Sequence, residues 1–201
     1  MIGVFDSGFG GLTVLKEFLR VLPDYDYIYL GDNARAPYGN KSDEVIYNYT
    51  REAVDFLFKQ GCELVIIACH TASSKALRKI QREYLPAKYP NKRVLGVVVP
   101  LVEEGWTGRP ETKMILKKYL RPLKLKKDIS GITGKNVKIV NPAETVAEKL
   151  VDYLRRHGEI EKRLGKNKKL IFYATDDVGK FRELGRKFLG KEIGEVKKAV
   201  L

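Results

Sequence analysis

Apolar residues in this chain come in short unbroken runs, separated by stretches in which they recur every three or four positions. The runs are IGVF (2–5), YIYL (27–30), LVIIA (64–68) and VLGVVV (94–99), the last closed by Pro100. Between them, Leu12, Leu15, Leu19 and Leu22 keep helical spacing until Pro23-Asp24, which predicts an amphipathic helix over 12–22. Ser42-Asp43-Glu44 opens a second helix that runs to Lys59 and stops at Gly61, and the pattern predicts a third over 71–84. Strands that are apolar throughout, alternating with amphipathic helices, imply a parallel sheet covered on both faces. The expected fold class is therefore α/β, a parallel sheet flanked by helices.

The downstream half is less regular. Residues 111–120 read as a helix, and 123–136 hold many lysines and two glycines. VKIV (137–140) reads as a strand. A helix over 142–155 follows, with Pro142 in its first turn. LIFYAT (170–175) predicts another strand and 178–189 another helix, and the tail after Gly190 is expected to fray. No internal repeat and no low-complexity segment interrupts this order.

Length and composition narrow the class. A chain of 201 residues with 44% hydrophobic content suits one domain or two small ones. No apolar run reaches the length of a membrane span. The opening MIGVFDSGFGG reads as a first strand and not as a signal peptide. The two cysteines, Cys62 and Cys69, match neither a CxxC nor a zinc spacing, and the expected compartment is a reducing cytoplasm. The formal charge is +13, with Lys and Arg dense over 113–127 and 155–169. No aromatic-interleaved basic motif accompanies these runs, so a solvated lysine-rich surface is preferred to a nucleic-acid interface.

Candidate chemistry sits where strands end, the edge at which parallel α/β sheets bind ligands. The first strand leads into Asp6-Ser7-Gly8-Phe9-Gly10-Gly11, the second towards Ala36-Pro37-Tyr38-Gly39-Asn40, and the third into Cys69-His70-Thr71. The glycine loop is not a dinucleotide fingerprint, because Thr13 stands where a third glycine belongs, and it lacks the Lys-Ser/Thr of a P-loop. Asp6 reads equally as a turn or helix cap and as a carboxylate that orients an amine or thiol. Cys62 reads as a small buried hydrophobe. Cys69 opens a helix, a position that lowers a thiol's pKa. His70 follows it on extended chain, so the two side chains are expected to diverge. From the residues alone, structural and reactive roles for Cys69 both stay open.

GVFDSGFGGLTVL, YLGDNARAPYGNKS and ACHTAS, in this order, resemble the three N-terminal motifs of glutamate racemases, in the cofactor-independent amino-acid racemase family. The resemblance is dense over about the first hundred residues and resumes in VKIVNPAETVAEKL and FYATDDVGKFRELGRKFLG. It implies two α/β domains facing each other across a cleft, each contributing one cysteine, with glutamate between them and no cofactor. It implies a cytoplasmic isomerase that interconverts L- and D-glutamate for peptidoglycan synthesis. Carried over, Cys69 is the first catalytic cysteine, and Asp6, Ser7, Tyr38, Gly39, His70 and Thr71 hold substrate or tune the thiol. The implied partners are glutamate or a similar small amino acid and a second copy in a homodimer.

Two departures bear on activity. His70 stands where the family usually has asparagine, exchanging an uncharged amide for a titratable imidazole. The family's second cysteine lies in a Gly-Cys-Thr-His-Tyr-Pro motif, and no cysteine follows Cys69 here. VVVPLVEEGW joins two places that full-length members keep apart. The expected organisation is a first domain of 1–99 plus 137–189, a much reduced second domain of 101–136 and a tail of 190–201. Without a second base, the expected outcome is a racemase-like protein whose activity is lost. The alternative is a non-catalytic binding or interaction protein built on the first domain.

Overall fold

The structure is a computed structural model, and it describes residues 1–98 and 141–201. The predicted helix 111–120, the predicted strand 137–140 and the reduced domain 101–136 lie outside the described residues. Six strands form one all-parallel sheet: β1 (Ile2–Asp6), β2 (Tyr27–Gly31), β3 (Leu64–Ile67), β4 (Arg93–Gly96), β5 (Leu170–Ala174) and β6 (Val196–Lys198). Their spatial order is β4-β3-β1-β2-β5-β6. Every residue of β1, β2 and β3 is buried, as their unalternating apolar sequence predicts.

Helices cover both faces. On one face, α1 (Leu12–Val21), α6 (Pro142–Arg156), α7 (Gly158–Glu161) and α8 (Val178–Leu189) bury Leu15, Phe18, Leu150, Ile160 and Phe181 against Ile2, Val4, Tyr29 and Phe172. On the other face lie α2 (Asp43–Lys59), α3 (His70–Lys75), α4 (Leu77–Lys79) and α5 (Leu85–Lys88). They bury Val54, Leu57, Ala72, Leu77 and Ile80 against Phe5, Ile28, Val65 and Ile67. Neighbouring strand residues thus serve opposite cores. The Ser42 hydroxyl accepts from the Val45 N–H and starts α2 where the capping pattern placed it.

Two expectations need revising. The helix predicted over 71–84 is a broken one that reaches Lys88, with a π-helical turn at Ile80–Tyr84 between α4 and α5. Pro86 has no N–H to continue the ladder and crowds the carbonyl of Arg82, so the preceding turn widens. The 190–201 segment is not a frayed tail. Gly190 takes the left-handed conformation that ends α8, Ile193 and Ala199 are buried, and β6 pairs in parallel with β5. Its short, lysine-rich stretch hid a strand that this pairing creates.

Candidate active site

Because all strands run the same way, β1, β2, β3 and β5 present their carboxyl ends at one edge. β1 and β3 are direct neighbours, so the loop after Asp6 meets the turn after Ala68. Ser7 Oγ lies 3.1 Å from Cys69 Sγ. The thiol also caps α3, accepting from the Ala72 N–H at 3.5 Å. Cys69 itself is buried.

The glycine loop wraps the Asp6 carboxylate. Its Oδ2 accepts from the Gly11 N–H at 3.0 Å and from the Gly8 N–H at 3.2 Å. A Cβ on Gly11 would sit 2.7 Å from the Asp6 Cβ and 2.9 Å from the Ala68 Cβ, so this close crossing of strand and helix admits glycine alone. Asp6 thus organises the turn, as its capping reading expected, and its charge reaches the thiol.

Burial sets the electrostatics. Desolvation pushes the Asp6 carboxyl above its ordinary value, against the N–H donors of Gly11, Gly8 and Ser7, which act the other way. Burial likewise pushes the Cys69 thiol up, and the nearby Asp6 charge adds to this. The expected lowering by a helix start is outweighed, since α3 has six residues and the hydrogen bonds from Ser7 and Ala72 are weaker influences. Both influences favour the protonated thiol.

The remaining predicted residues occupy distinct positions. His70 is exposed and Thr71 half-buried at the start of α3, so the Cys69 and His70 side chains diverge as expected. Tyr38 begins a 3₁₀ turn (Tyr38–Asn40) and is fully buried, its hydroxyl donating to Asp32 Oδ2. That hydroxyl serves the framework, while the ring packs on Phe5 and Tyr49. Gly39 is exposed, with open space where a side chain would point.

Sequence reasoning passed over a second layer. Asp32 is fully buried and anchors several groups. It accepts from Arg35 Nε at 2.7 Å and from the Thr175 hydroxyl at 2.8 Å, and its N–H donates to the Asp6 carbonyl at 2.9 Å. Tyr29 donates its hydroxyl to the Gly8 carbonyl at 3.3 Å, from beneath the glycine loop. Position at a strand end was a signal for Asp32. Nothing marks Tyr29 within its apolar run.

Among the described residues no group of three or more His, Cys, Asp or Glu side chains is arranged to hold a metal ion. No described helix is long and apolar enough to cross a membrane.

No protein-family model matches the chain. A glutamate racemase of Geobacter metallireducens is 31% identical over 256 residues, covering 97% of this chain and 94% of that protein. This aligned stretch is longer than the 201 residues here, so the relative carries residues with no counterpart in this chain. A glutamate racemase of Jannaschia is 53% identical over 102 residues, which is 51% of this chain and 37% of that protein. Over that match the chain spans little more than a third of its relative. The structure of glutamate racemase from Francisella tularensis in complex with D-glutamate superposes with a TM-score of 0.67 at 28% identity, covering 99% of this chain and 97% of that one. Identity that extends across nearly the whole of both chains, on a shared parallel α/β frame, establishes that the chain belongs to the glutamate racemase family.

Proposed function

We propose that this chain binds glutamate, or a similar small amino acid, at the edge formed by Asp6, Ser7, Cys69, His70 and Thr71, and moves the Cα proton on one face through Cys69. The observation that carries this reading is the 3.1 Å approach of Ser7 Oγ to Cys69 Sγ beside a buried Asp6. The Francisella relative's complex with D-glutamate supports the ligand class.

The chemistry follows from the charges. An arriving amino acid brings an ammonium group to a buried wall where desolvation, aided by the Asp6 charge, favours the protonated thiol. That positive charge offsets Asp6 and favours the thiolate. The thiolate takes the Cα proton to form S–H, and the pair from the broken Cα–H bond passes into the adjacent carboxyl group. The new S–H returns a proton to the same carbon. Inversion requires the returning proton on the opposite face, within hydrogen-bond reach of Cα. One thiol cannot occupy both faces. Cys62 cannot help, since it precedes β3 at the sheet's other edge, is fully buried and has its pKa pushed up to about 12. The absent second cysteine therefore leaves proton exchange with retention. We place the protein in the cytoplasm, where such an amino acid is available to it.

The test is incubation with L- and D-glutamate in deuterated water. Mass spectrometry follows deuterium at Cα while chiral chromatography follows inversion. The expected result is exchange into one enantiomer without inversion, abolished by Cys69→Ala. Inversion at ordinary enzymatic rates overturns the one-sided mechanism. Neither exchange nor inversion supports the non-catalytic binding protein instead.

A further inference from the structure

Among the described residues, β4 is the last strand on its side of the sheet, so its outer backbone groups have no strand to pair with. The Arg93 N–H donates to the Glu63 carbonyl at the start of β3. Alternation along the strand therefore turns the N–H and C=O of Val94 away from the sheet. The Val94 carbonyl accepts from Gln81 Nε2 at 2.8 Å. Gln81 belongs to the π-helical turn Ile80–Tyr84, so this turn is tethered to the edge strand by a side chain. Beside the tether opens a cleft of about 460 Å³, within the range of about 300–1,000 Å³ that small-molecule sites occupy. Leu85 and Pro86 of α5 wall it from one face of the sheet, and Tyr153 of α6 from the other. Pro90 and Leu95 complete its apolar surface.

The charges in this cleft have one sign. Lys92 and Arg93 line it, and among the described residues no carboxylate does. Lys92 serves the framework: its Nζ donates to the Phe58 and Cys62 carbonyls at 3.1 and 2.7 Å and lies 3.6 Å from Glu63 Oε1. Arg93 is held without being used up. Its Nη1 donates to the Pro90 and Lys92 carbonyls, both at 2.9 Å. Among the described residues this leaves the Nε and Nη2 N–H groups for a further acceptor. The Tyr153 ring is stacked on His157 at 4.1 Å, which fixes the place of its hydroxyl, and the Val94 N–H adds a backbone donor. The cleft lies at the amino end of β4, whereas Asp6 and Cys69 follow the carboxyl ends of β1 and β3.

We propose that this cleft is a second binding site, for a small organic anion with a carboxylate on a flat apolar body. The carboxylate meets the Arg93 guanidinium and the Tyr153 hydroxyl, and the body lies between Leu85, Pro86, Pro90 and Leu95. Both halves of the ligand are needed. A neutral apolar molecule leaves the guanidinium unused, and a compact zwitterion such as glutamate leaves the apolar walls uncovered. The inference is independent of the glutamate reading, because the two sites lie at opposite ends of the strands.

Isothermal titration calorimetry on the full chain provides the test, with naphthalene carboxylate and its neutral isostere naphthalene carboxamide as probes. The carboxylate is expected to bind about tenfold more tightly, the low end for a hydrogen bond to a charged group. Arg93→Gln should bring it to the carboxamide's affinity. Tyr153→Phe keeps the stacked ring and should weaken the carboxylate about two- to tenfold. Saturating L-glutamate should leave its affinity unchanged. Equal binding of the two probes, or binding of neither, overturns the proposal, as does a preference that survives Arg93→Gln. If Arg93→Gln fails to show the wild-type thermal transition by circular dichroism, Tyr153→Phe decides, and an unchanged affinity there overturns the proposal. Displacement by L-glutamate would place the probe in the candidate active site and overturn it too. So would probe binding that weakens as protein concentration rises, which would give the cleft to a second copy of the chain.

Discussion

At the scale of single residues, the Cys69 thiol is governed by burial first and by Asp6 second. That order makes a prediction. Iodoacetamide should label Cys69 slowly near neutral pH and faster on the alkaline side, followed by mass spectrometry of the intact protein. Asp6→Asn keeps an oxygen for the Gly8 and Gly11 N–H groups and removes the charge, so its labelling curve should move to lower pH. An unmoved curve would show that Asp6 is not coupled to the thiol. Cys62, fully buried with its thiol pushed up to about 12 by desolvation, should stay unlabelled. The same variant carries a stability signature. The folded Asp6 carboxyl titrates above its unfolded value, so the native state binds more protons in that window and loses stability as pH rises through it. Urea titrations from acid to neutral pH should show that loss in the wild type and its removal in Asp6→Asn. The place of Cys69, Asp6 and Ser7 was legible from strand ends. The protonation of Cys69 was not, since it depends on how deeply the turn is buried. Nor were the roles of Tyr29 and Asp32, whose partners Gly8 and Thr175 are 21 and 143 residues away in sequence.

At the scale of elements, the periodic pattern located the first three strands and the helices α1, α2 and α8 closely, because each presents a continuous apolar stripe or run. It failed where an element depends on a neighbour. β6 is such a case, a short strand with exposed Lys197 and Lys198 that exists by pairing with β5. Ile193 anchors this segment, and its Cδ1 fills the space where a Cβ on Gly185 would come within 2.6 Å. Ile193→Ala should therefore cost about 2–4 kcal/mol by chemical denaturation, whereas a fraying tail would lose under about 0.5 kcal/mol. Asp55 braces the broken helix in a similar way. From α2 its carboxylate takes Lys88, Tyr84 and Tyr89 at 2.6 to 2.7 Å. Burial opposes its ionisation, but Lys59, Lys88 and the two tyrosines hold it well below the ordinary carboxylate range. Asp55→Asn should cost about 1–3 kcal/mol at neutral pH. Its folded value is depressed, so the contribution is complete above the unfolded value and fades as pH falls into the acid range. A penalty that stayed constant down to about pH 2 would refute the ionic brace.

At the scale of the whole molecule, the chain builds one sheet from two separated stretches. β1 to β4 come from the first 98 residues, while β5 and β6 come from beyond residue 140 and sit on the β2 side. The late run LIFYAT was legible as a strand, and the pairing of β5 with β2 joins it to the early stretch in one sheet. Its consequence for stability becomes visible in the contacts. Phe172 and Phe181 pack on Tyr29, with ring centroids at 6.3 and 5.8 Å, and Thr175 completes the Asp32 network behind the candidate site. Truncating one buried phenylalanine costs about 3–5 kcal/mol, and a whole domain is stable by about 5–15 kcal/mol. Losing both aromatic anchors together with α6 and α8 exceeds that margin. A fragment of residues 1–98 is therefore expected to show no cooperative thermal transition by circular dichroism, although it contains Asp6, Ser7, Tyr38, Cys69, His70 and Thr71. Supplying 141–201 as a separate peptide should restore a transition, because those residues refill the apolar face of β1 and β2 and return Thr175 to Asp32. A cooperative unfolding transition in the 1–98 fragment alone would mean that four strands, one covered face and α1 on the other suffice. The returning half would then be an accessory to the site and not part of its foundation.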